Sequence, residues 1–216
     1  MRDTFLACIL LVSVGCADPS APWEGSGATI ARNSRGGIVG INLAEAVADD
    51  MHLAQLATLP HLTTLTLGAS VGDAELVHLK SLAQLQRLFL TDTRVTAAGL
   101  EHLRALNLRQ LDVPLRARTN IGLKHMMSAM IPADALDLTG WQVTDPGLAV
   151  LRQWPDLRHL SLKNTAIGDE GVSHLKPLRQ LMYLGLGATK TTDLGIAHLA
   201  QFQGLRRLFL SGTAVT

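Results

Sequence analysis

The chain has 216 residues, enough for one domain or one repeat array with a sizeable core. It is 47% hydrophobic and 17% charged, and 19 Lys and Arg against 18 Asp and Glu leave a formal net charge of +1. That balance argues against disorder, an acidic tail or a bulk nucleic-acid binder, and 4% aromatic residues are too few for a base-stacking surface.

The chain opens with MRDTFLACILLVSVGC. Arg2 gives a weak positive start, and Phe5 to Val14 is an apolar run of signal-peptide length, short for a bilayer span. Ser13, Val14 and Gly15 then lead to Cys16. The segment resembles a bacterial lipoprotein signal, with Ser13 where that family usually has leucine. The resemblance implies cleavage after residue 15 and a lipid on Cys16. The mature protein would then be lipid-anchored in the bacterial cell envelope, on its extracytoplasmic side, or secreted if Cys16 is not acylated. A plain secretory signal and an uncleaved start remain open. The only cysteines are Cys8 and Cys16, so a processed chain has no intrachain disulfide, thiolate-zinc site or cysteine nucleophile. Residues 16–37, rich in Ala, Gly, Ser and Pro, read as a flexible tether, with Trp23 as a stray aromatic near the membrane interface or the first repeat.

From Ile38 onward the sequence repeats every 23 to 25 residues, with starts at Ile38, Leu62, Leu85, Leu108, Ala133, Leu157 and Leu181, and an eighth at Leu205. Roughly one residue in five is leucine, well above ordinary usage. The shared frame is L-x-x-L-x-L-x-x-T-x-(V/I)-x-D-x-G-(L/I/V)-x-x-L-x-x-L. Its L-x-L stretch alternates with period 2 and predicts a short strand, leucines inward. Apolar positions such as Val172, Leu175 and Leu178 predict one face of a short helix. Asp73, Asp145, Asp169 and Asp193 stand where each can cap the helix that follows it. One such unit buries too little to offset its ordering entropy, so the units must stack, each strand pairing with the next.

Over residues 38–216 this pattern resembles a bacterial leucine-rich-repeat protein, of the ribonuclease-inhibitor-like type with T-x-V-T-D-x-G-L. The resemblance implies an α/β solenoid of about seven and a half repeats, with a curved parallel sheet on the concave side and short helices on the convex side. The Leu108 unit departs from the frame through VPLRARTNIGLKHMM. The chain also stops at Thr216 within the eighth unit, which suggests a truncated product or an uncapped edge open to self-association.

No catalytic constellation emerges. Gly68 to Gly72 satisfies G-x-S-x-G around Ser70, but Ser70 falls on the threonine of the frame. His78, His102, His125, His174 and His198 recur at one frame position and read as structural rather than metal-binding. Asp112 and Asp137, on successive strands, are expected about 5 Å apart. Arg109, Arg116 and Arg118 suggest a local basic rim. No cofactor, metal or nucleic acid is expected. The expected partner surface is the concave face: Arg87, Phe89, Gln110, Asp112, Asp137, His159, Tyr183, Arg207 and Phe209. The reading is a non-enzymatic, membrane-tethered module that binds a protein partner. An intracellular adaptor-type repeat protein, or a truncated remnant with no selected partner, is the alternative.

Overall fold

The computed structural model describes Trp23 and residues 26–216; the expected signal peptide and lipidated Cys16 lie outside the described residues. The frame's alternating aliphatic stretch forms a strand in each repeat: β2 (Ile38–Leu43), β3 (Thr64–Leu67), β4 (Arg87–Phe89), β5 (Gln110–Asp112), β6 (Ala135–Asp137), β7 (His159–Ser161), β8 (Tyr183–Gly185) and β9 (Arg207–Phe209). Neighbours pair parallel, one repeat apart, so Leu65, Leu88 and Leu111 stand opposite one another, as do Leu136, Leu160, Leu184 and Leu208. The return path of each repeat carries a short helix: α1 (Asp50–Gln55), α2 (Asn120–Ala129), α3 (Asp169–Ser173), α4 (Asp193–Ala197), or a 3₁₀ turn at Glu75–Ser81, Gly99–Leu103 or Asp145–Gln153. The frame's helix aliphatics Leu53, Leu76, Leu100, Leu123, Leu148 and Val172 are fully buried and form a second column behind the strand leucines. Each such side chain contributes about 1.5–3 kcal/mol of transfer free energy, which only stacking releases.

The polar letters of the frame have their own tasks. Thr93, Thr165, Thr189 and Thr213 each donate through Oγ1 to the carbonyl three residues earlier, at 2.6 to 2.7 Å, closing the turn after the strand. The aspartates, expected to cap their own helices, instead reach into the next repeat. Asp169 accepts from Thr192 N at 2.8 Å, Thr192 Oγ1 at 2.7 Å and Gly195 N at 2.9 Å. Asp73 holds Thr96 in the same way, Asp145 holds the amide of Gly168, and Asp193 holds Thr216. The frame glycine explains this direction. A Cβ at Gly99, Gly171 or Gly195 would overlap the carboxylate of Asp73, Asp145 or Asp169, so the missing side chain makes room for the preceding repeat's clamp. Where Glu75 replaces that glycine, its own carboxylate takes the Gly72 amide at 2.7 Å.

Two further expectations need correction. The tether over 16–37 ends earlier than its composition suggests. β1 (Thr29–Arg32) pairs antiparallel with β2 as a hairpin, and Trp23 is buried against the first repeat with its ring 5.6 Å from that of His52. An edge strand and an indole thus cover the open end of the core, which a solenoid requires of its terminal unit.

The parallel ladder is also not continuous. β1 to β5 form one sheet and β6 to β9 another. The cause lies in the Leu108 unit. Its return helix α2 is ten residues long, the longest of the four named helices. The chain then meets Leu108 at Ala129–Ile131, with Leu108 N donating to Ala129 O and Ile131 N to Leu108 O. By the frame, Leu108 should face Ala133, so the chain arrives three residues early. Pro132 follows, with no N–H to continue the ladder, and β6 swings clear of β5. Beyond the strands the coils close again, through Gln142 N on Arg118 O at 2.8 Å and the Thr119–Gln142 bridge. Asn120, standing where other units have aspartate, clamps both Thr144 N and Thr144 Oγ1 across the break.

Candidate functional site

The outward side chains of the strands form two rows on each sheet. The first sheet carries Thr64, Arg87 and Gln110 in one row and Thr66, Phe89 and Asp112 in the other. The second carries Ala135, His159, Tyr183 and Arg207 beside Asp137, Ser161, Gly185 and Phe209. The expected partner surface is therefore divided. Arg87, Phe89, Gln110 and Asp112 stand on one sheet, and Asp137, His159, Tyr183, Arg207 and Phe209 on the other. Asp112 and Asp137 are not on paired strands, which corrects the expected 5 Å ladder spacing.

On the second sheet three rings run together. His159 and Tyr183 have centroids 6.3 Å apart, and Tyr183 and Phe209 5.1 Å apart, all tilted. Tyr183 and Phe209 are diagonal neighbours, not opposite residues. Their approach depends on Gly185, opposite Phe209, which has no side chain to stand between the rings. Phe209 remains 47% exposed, an unusual position for a phenylalanine on a rigid strand. Phe89 belongs to the other sheet and does not join this cluster.

One hollow adjoins the rings and a second lies next to it. One, of about 500 Å³, is lined by Ala135, Leu136, Asp137, His159, Leu160, Ser161 and Tyr183. The other, of about 450 Å³, is the cleft left by the broken ladder. Apolar Leu111, Val113, Met126, Met130, Leu136 and Trp141 line it together with polar Thr91, Arg109, Gln110, Asp112, Arg118, Asp137 and Thr139. Ala135, Leu136 and Asp137 belong to both hollows, so the depression runs from the break to the rings.

Asp137 is the electrostatic pivot. Burial pushes its carboxyl up. Hydrogen bonds from the Thr139 hydroxyl and amide, the nearby Ser161 hydroxyl and the Arg118 charge outweigh that and hold it below the usual carboxylate range. The carboxylate is therefore ionised at neutral pH. Arg118 occupies the frame position of a core aliphatic. Ala117 is buried instead, and the Arg118 guanidinium turns back to donate from Nε to Val113 O at 3.2 Å. Of the expected basic rim, Arg109 and Arg118 line the cleft, and Arg116 does not. The cleft itself escapes a reading by repeat frame, although its signals were present: a proline in each flank of the break, an arginine at a core position, and Arg116 and Trp141 at two successive threonine positions.

The other candidates are absorbed by the fold. Ser70 Oγ accepts from Ala48 N at 3.3 Å and stitches two repeats. The five frame histidines are half-buried on the helix side, and among the described residues no group of three or more His, Cys, Asp or Glu is placed to hold a metal ion. No described helix is long and apolar enough to cross a membrane.

No family model matches the sequence, and no curated protein matches it. Solved structures do match. The chain is similar to an internalin of Listeria monocytogenes at 19% identity, with a TM-score of 0.50, over 76% of this chain and 52% of the internalin. It is also similar to the plant peptide hormone receptor RGFR1, in a complex with RGF2, at 14% identity and a TM-score of 0.48, over 86% of this chain and 33% of the receptor. The chain thus spans about half the length of the internalin. The internalin likeness and the stacked parallel strands agree on a leucine-rich-repeat α/β solenoid.

Proposed function

We propose that the protein is a non-enzymatic interaction module that holds a protein partner on its strand side, centred on the second sheet. One observation carries this reading: His159, Tyr183 and Phe209 form a partly exposed ring cluster on rigid strands, next to a depression lined by Asp137, His159 and Tyr183. Aromatic anchors fixed on a scaffold lose little entropy on binding and dominate interface energetics. Frame regularity alone asks for no aromatic at these outward positions, since the core is complete without them. The amino-terminal sequence supports a lipid on Cys16 that would keep this surface at a bacterial membrane, facing the extracytoplasmic side.

Two experiments test the two halves of the proposal. Purified chain immobilised on beads should retain a discrete protein from envelope extracts of its own source, and a Tyr183→Ala, Phe209→Ala double variant should lose it. Retention unchanged by the double variant would place the contact elsewhere. Metabolic labelling with palmitate should mark the wild type and not Cys16→Ala. A Cys16→Ala chain that stays equally membrane-bound would remove the lipid anchor from the account.

A further inference from the structure

On the second sheet the starts of β7 and β9 are basic. Arg158 and Arg206 stand immediately before these strands, and Met182 stands before β8 between them. The main chain fixes this column: Met182 N donates to Arg158 O at 2.8 Å and Arg206 N to Met182 O at 2.9 Å. At a strand spacing of about 4.8 Å, Arg158 and Arg206 lie roughly 10 Å apart. Arg179, in the turn before β8, supplies a third charge. The three arginines, with Gln180 and Gln203, line a hollow of about 490 Å³ to which no acidic side chain contributes. All three are exposed and lie between core leucines, at positions the repeat leaves free. Among the described residues no ion pair and no side-chain hydrogen bond engages them. Arg158 also lines the neighbouring hollow, with Asp134 and Asp156, and pairs with neither. The outward residues of β7 to β9 are His159, Ser161, Tyr183, Gly185, Arg207 and Phe209, none of them acidic. Arg207 follows Arg206 and stands opposite Tyr183, so positive charge runs from the hollow onto the ring-bearing face.

We propose that the hollow among Arg158, Arg179 and Arg206 takes an acidic segment of the protein partner, with successive Asp or Glu side chains on the three arginines. Charge complementarity selects the sign of the occupant, because every charged group lining the hollow is a cation. The arginine fork pairs a carboxylate through two parallel hydrogen bonds. The spread of the arginines selects a segment over one small anion. Each guanidinium is exposed, so a single pair is screened by salt and weak. Carboxylates repeated along a chain engage all three together, and an extended chain covers roughly 10 Å in about three residues. Asp134 and Asp156 repel such a segment on the far side of Arg158, so it runs toward β9. Past Arg206 its path leads by Arg207 to the rings of Tyr183 and Phe209.

This inference rests on the proposed partner-binding role and assigns a charge to the partner. The probe is a tetramethylrhodamine-labelled, amidated hexapeptide, Gly-Glu-Asp-Glu-Asp-Gly, titrated against the full chain by fluorescence anisotropy up to about 1 mM protein. A second peptide, Gly-Gln-Asn-Gln-Asn-Gly, keeps the length without the charge. Saturable binding is expected for the first and none for the second, and the first should weaken as salt rises from about 20 to about 300 mM. Arg158→Gln, Arg179→Gln and Arg206→Gln together should weaken it about tenfold or more, with the thermal transition unchanged. Lys80→Gln, Lys124→Gln and Lys176→Gln remove the same charge from exposed positions on the return path and should change binding by less than about twofold. No saturable binding, equal binding of the neutral peptide, or equal loss in the two triple variants overturns the proposal. Displacement of the peptide by inorganic phosphate, beyond that by chloride of equal ionic strength, makes this a site for one small oxyanion and overturns the segment. Arginine-dependent sedimentation with phosphatidylcholine–phosphatidylglycerol vesicles, without peptide binding, assigns the hollow to a lipid surface and overturns it too. If the immobilised chain captures its partner through Tyr183 and Phe209 while the peptide arms fail, the acidic segment is wrong and the binding role stands. If the peptide binds through the three arginines while capture fails, the hollow keeps its preference for carboxylates and the binding role falls.

Discussion

A methyl group at residue 147 would separate the clamp account from simple helix propensity. Built on the Gly147 backbone, a Cβ overlaps Asn120 Oδ1 and Cγ, the same side chain that holds Thr144 N at 2.9 Å and Thr144 Oγ1 at 2.7 Å. Gly147→Ala must displace Asn120. Two hydrogen bonds at about 1 kcal/mol each are lost, residual overlap adds about 1 kcal/mol, and the better helix propensity of alanine returns about 1 kcal/mol. The net expectation is a loss of about 2 kcal/mol. Asn120→Ala alone loses the same two bonds, also about 2 kcal/mol. In the double variant the methyl meets no side-chain oxygen and only the propensity gain remains, so the total loss shrinks to about 1 kcal/mol. The double variant should therefore be more stable than either single one. Urea unfolding followed by far-ultraviolet circular dichroism measures all three. If the double variant loses about 4 kcal/mol, the sum of the singles, the glycine is not there to admit the clamp.

The other predictions draw on different parts of the molecule. Gly140, Asn164, Ala188 and Gly212 occupy one place in four successive repeats, all with positive φ, and alanine is the poorest fit there at φ 53°. Ala188→Gly should raise stability by about 1 kcal/mol, read as a higher Tm; an unchanged or lower Tm contradicts the strain. Leu160 is fully buried, and Leu160→Ala should cost about 3–4 kcal/mol in chemical denaturation, whereas a loss under about 1 kcal/mol would mean that the leucine column is not close-packed. The Thr192 amide and hydroxyl and the Gly195 amide hold the Asp169 carboxyl below the usual range. Its contribution is present above the unfolded-state value near pH 4 and is lost as pH falls through the lower folded-state value. The stability difference between wild type and Asp169→Asn should thus shrink on acidification from neutral pH, and a difference constant from pH 7 to about pH 3 would exclude the clamp from acid unfolding. Hydrogen exchange of the Val113 amide should be faster than that of Leu90 or Leu162, whose amides donate to the next strand. Equal protection at all three would mean that the ladder is continuous.

How far the sequence alone reaches depends on the range of each signal. Every strand from β3 to β9 sits on an L-x-L stretch, with Val113 in place of the second leucine at β5, because alternation within three residues is a local property and the aliphatics on either side have only one core to enter. The outward positions follow from the same parity, so the ring-bearing residues Tyr183 and Phe209 were nameable in advance. That they meet over Gly185, and that Phe89 does not join them, depends on which strands share a sheet. The direction of the Asp169 clamp was hidden for a related reason. A carboxylate just before a helix is compatible with capping that helix, and only stacking shows Thr192 and Gly195 of the next repeat closer at hand. The break depends on the phase with which α2 returns, a sum over some twenty residues that no single letter reports. Pro114, Arg118, Pro132 and Trp141 each departed from the frame, and their joint effect becomes visible only once Met130 stands beside Leu108. Trp23 and β1 lie in a stretch whose small and polar composition matches a tether, yet one indole and one short strand suffice to cover the end of the core.

Site-specific photo-crosslinking in cells that express the full chain tests the central claim most directly. A benzophenone side chain replaces Tyr183, on the strand side, or Lys176, exposed on the return path of the same repeat. A discrete crosslinked protein at 183 and none at 176 is the predicted result. A crosslink at 176 with none at 183 would show that the partner rides on the helix side, and the assignment of the ring-bearing sheet as the binding surface would be wrong.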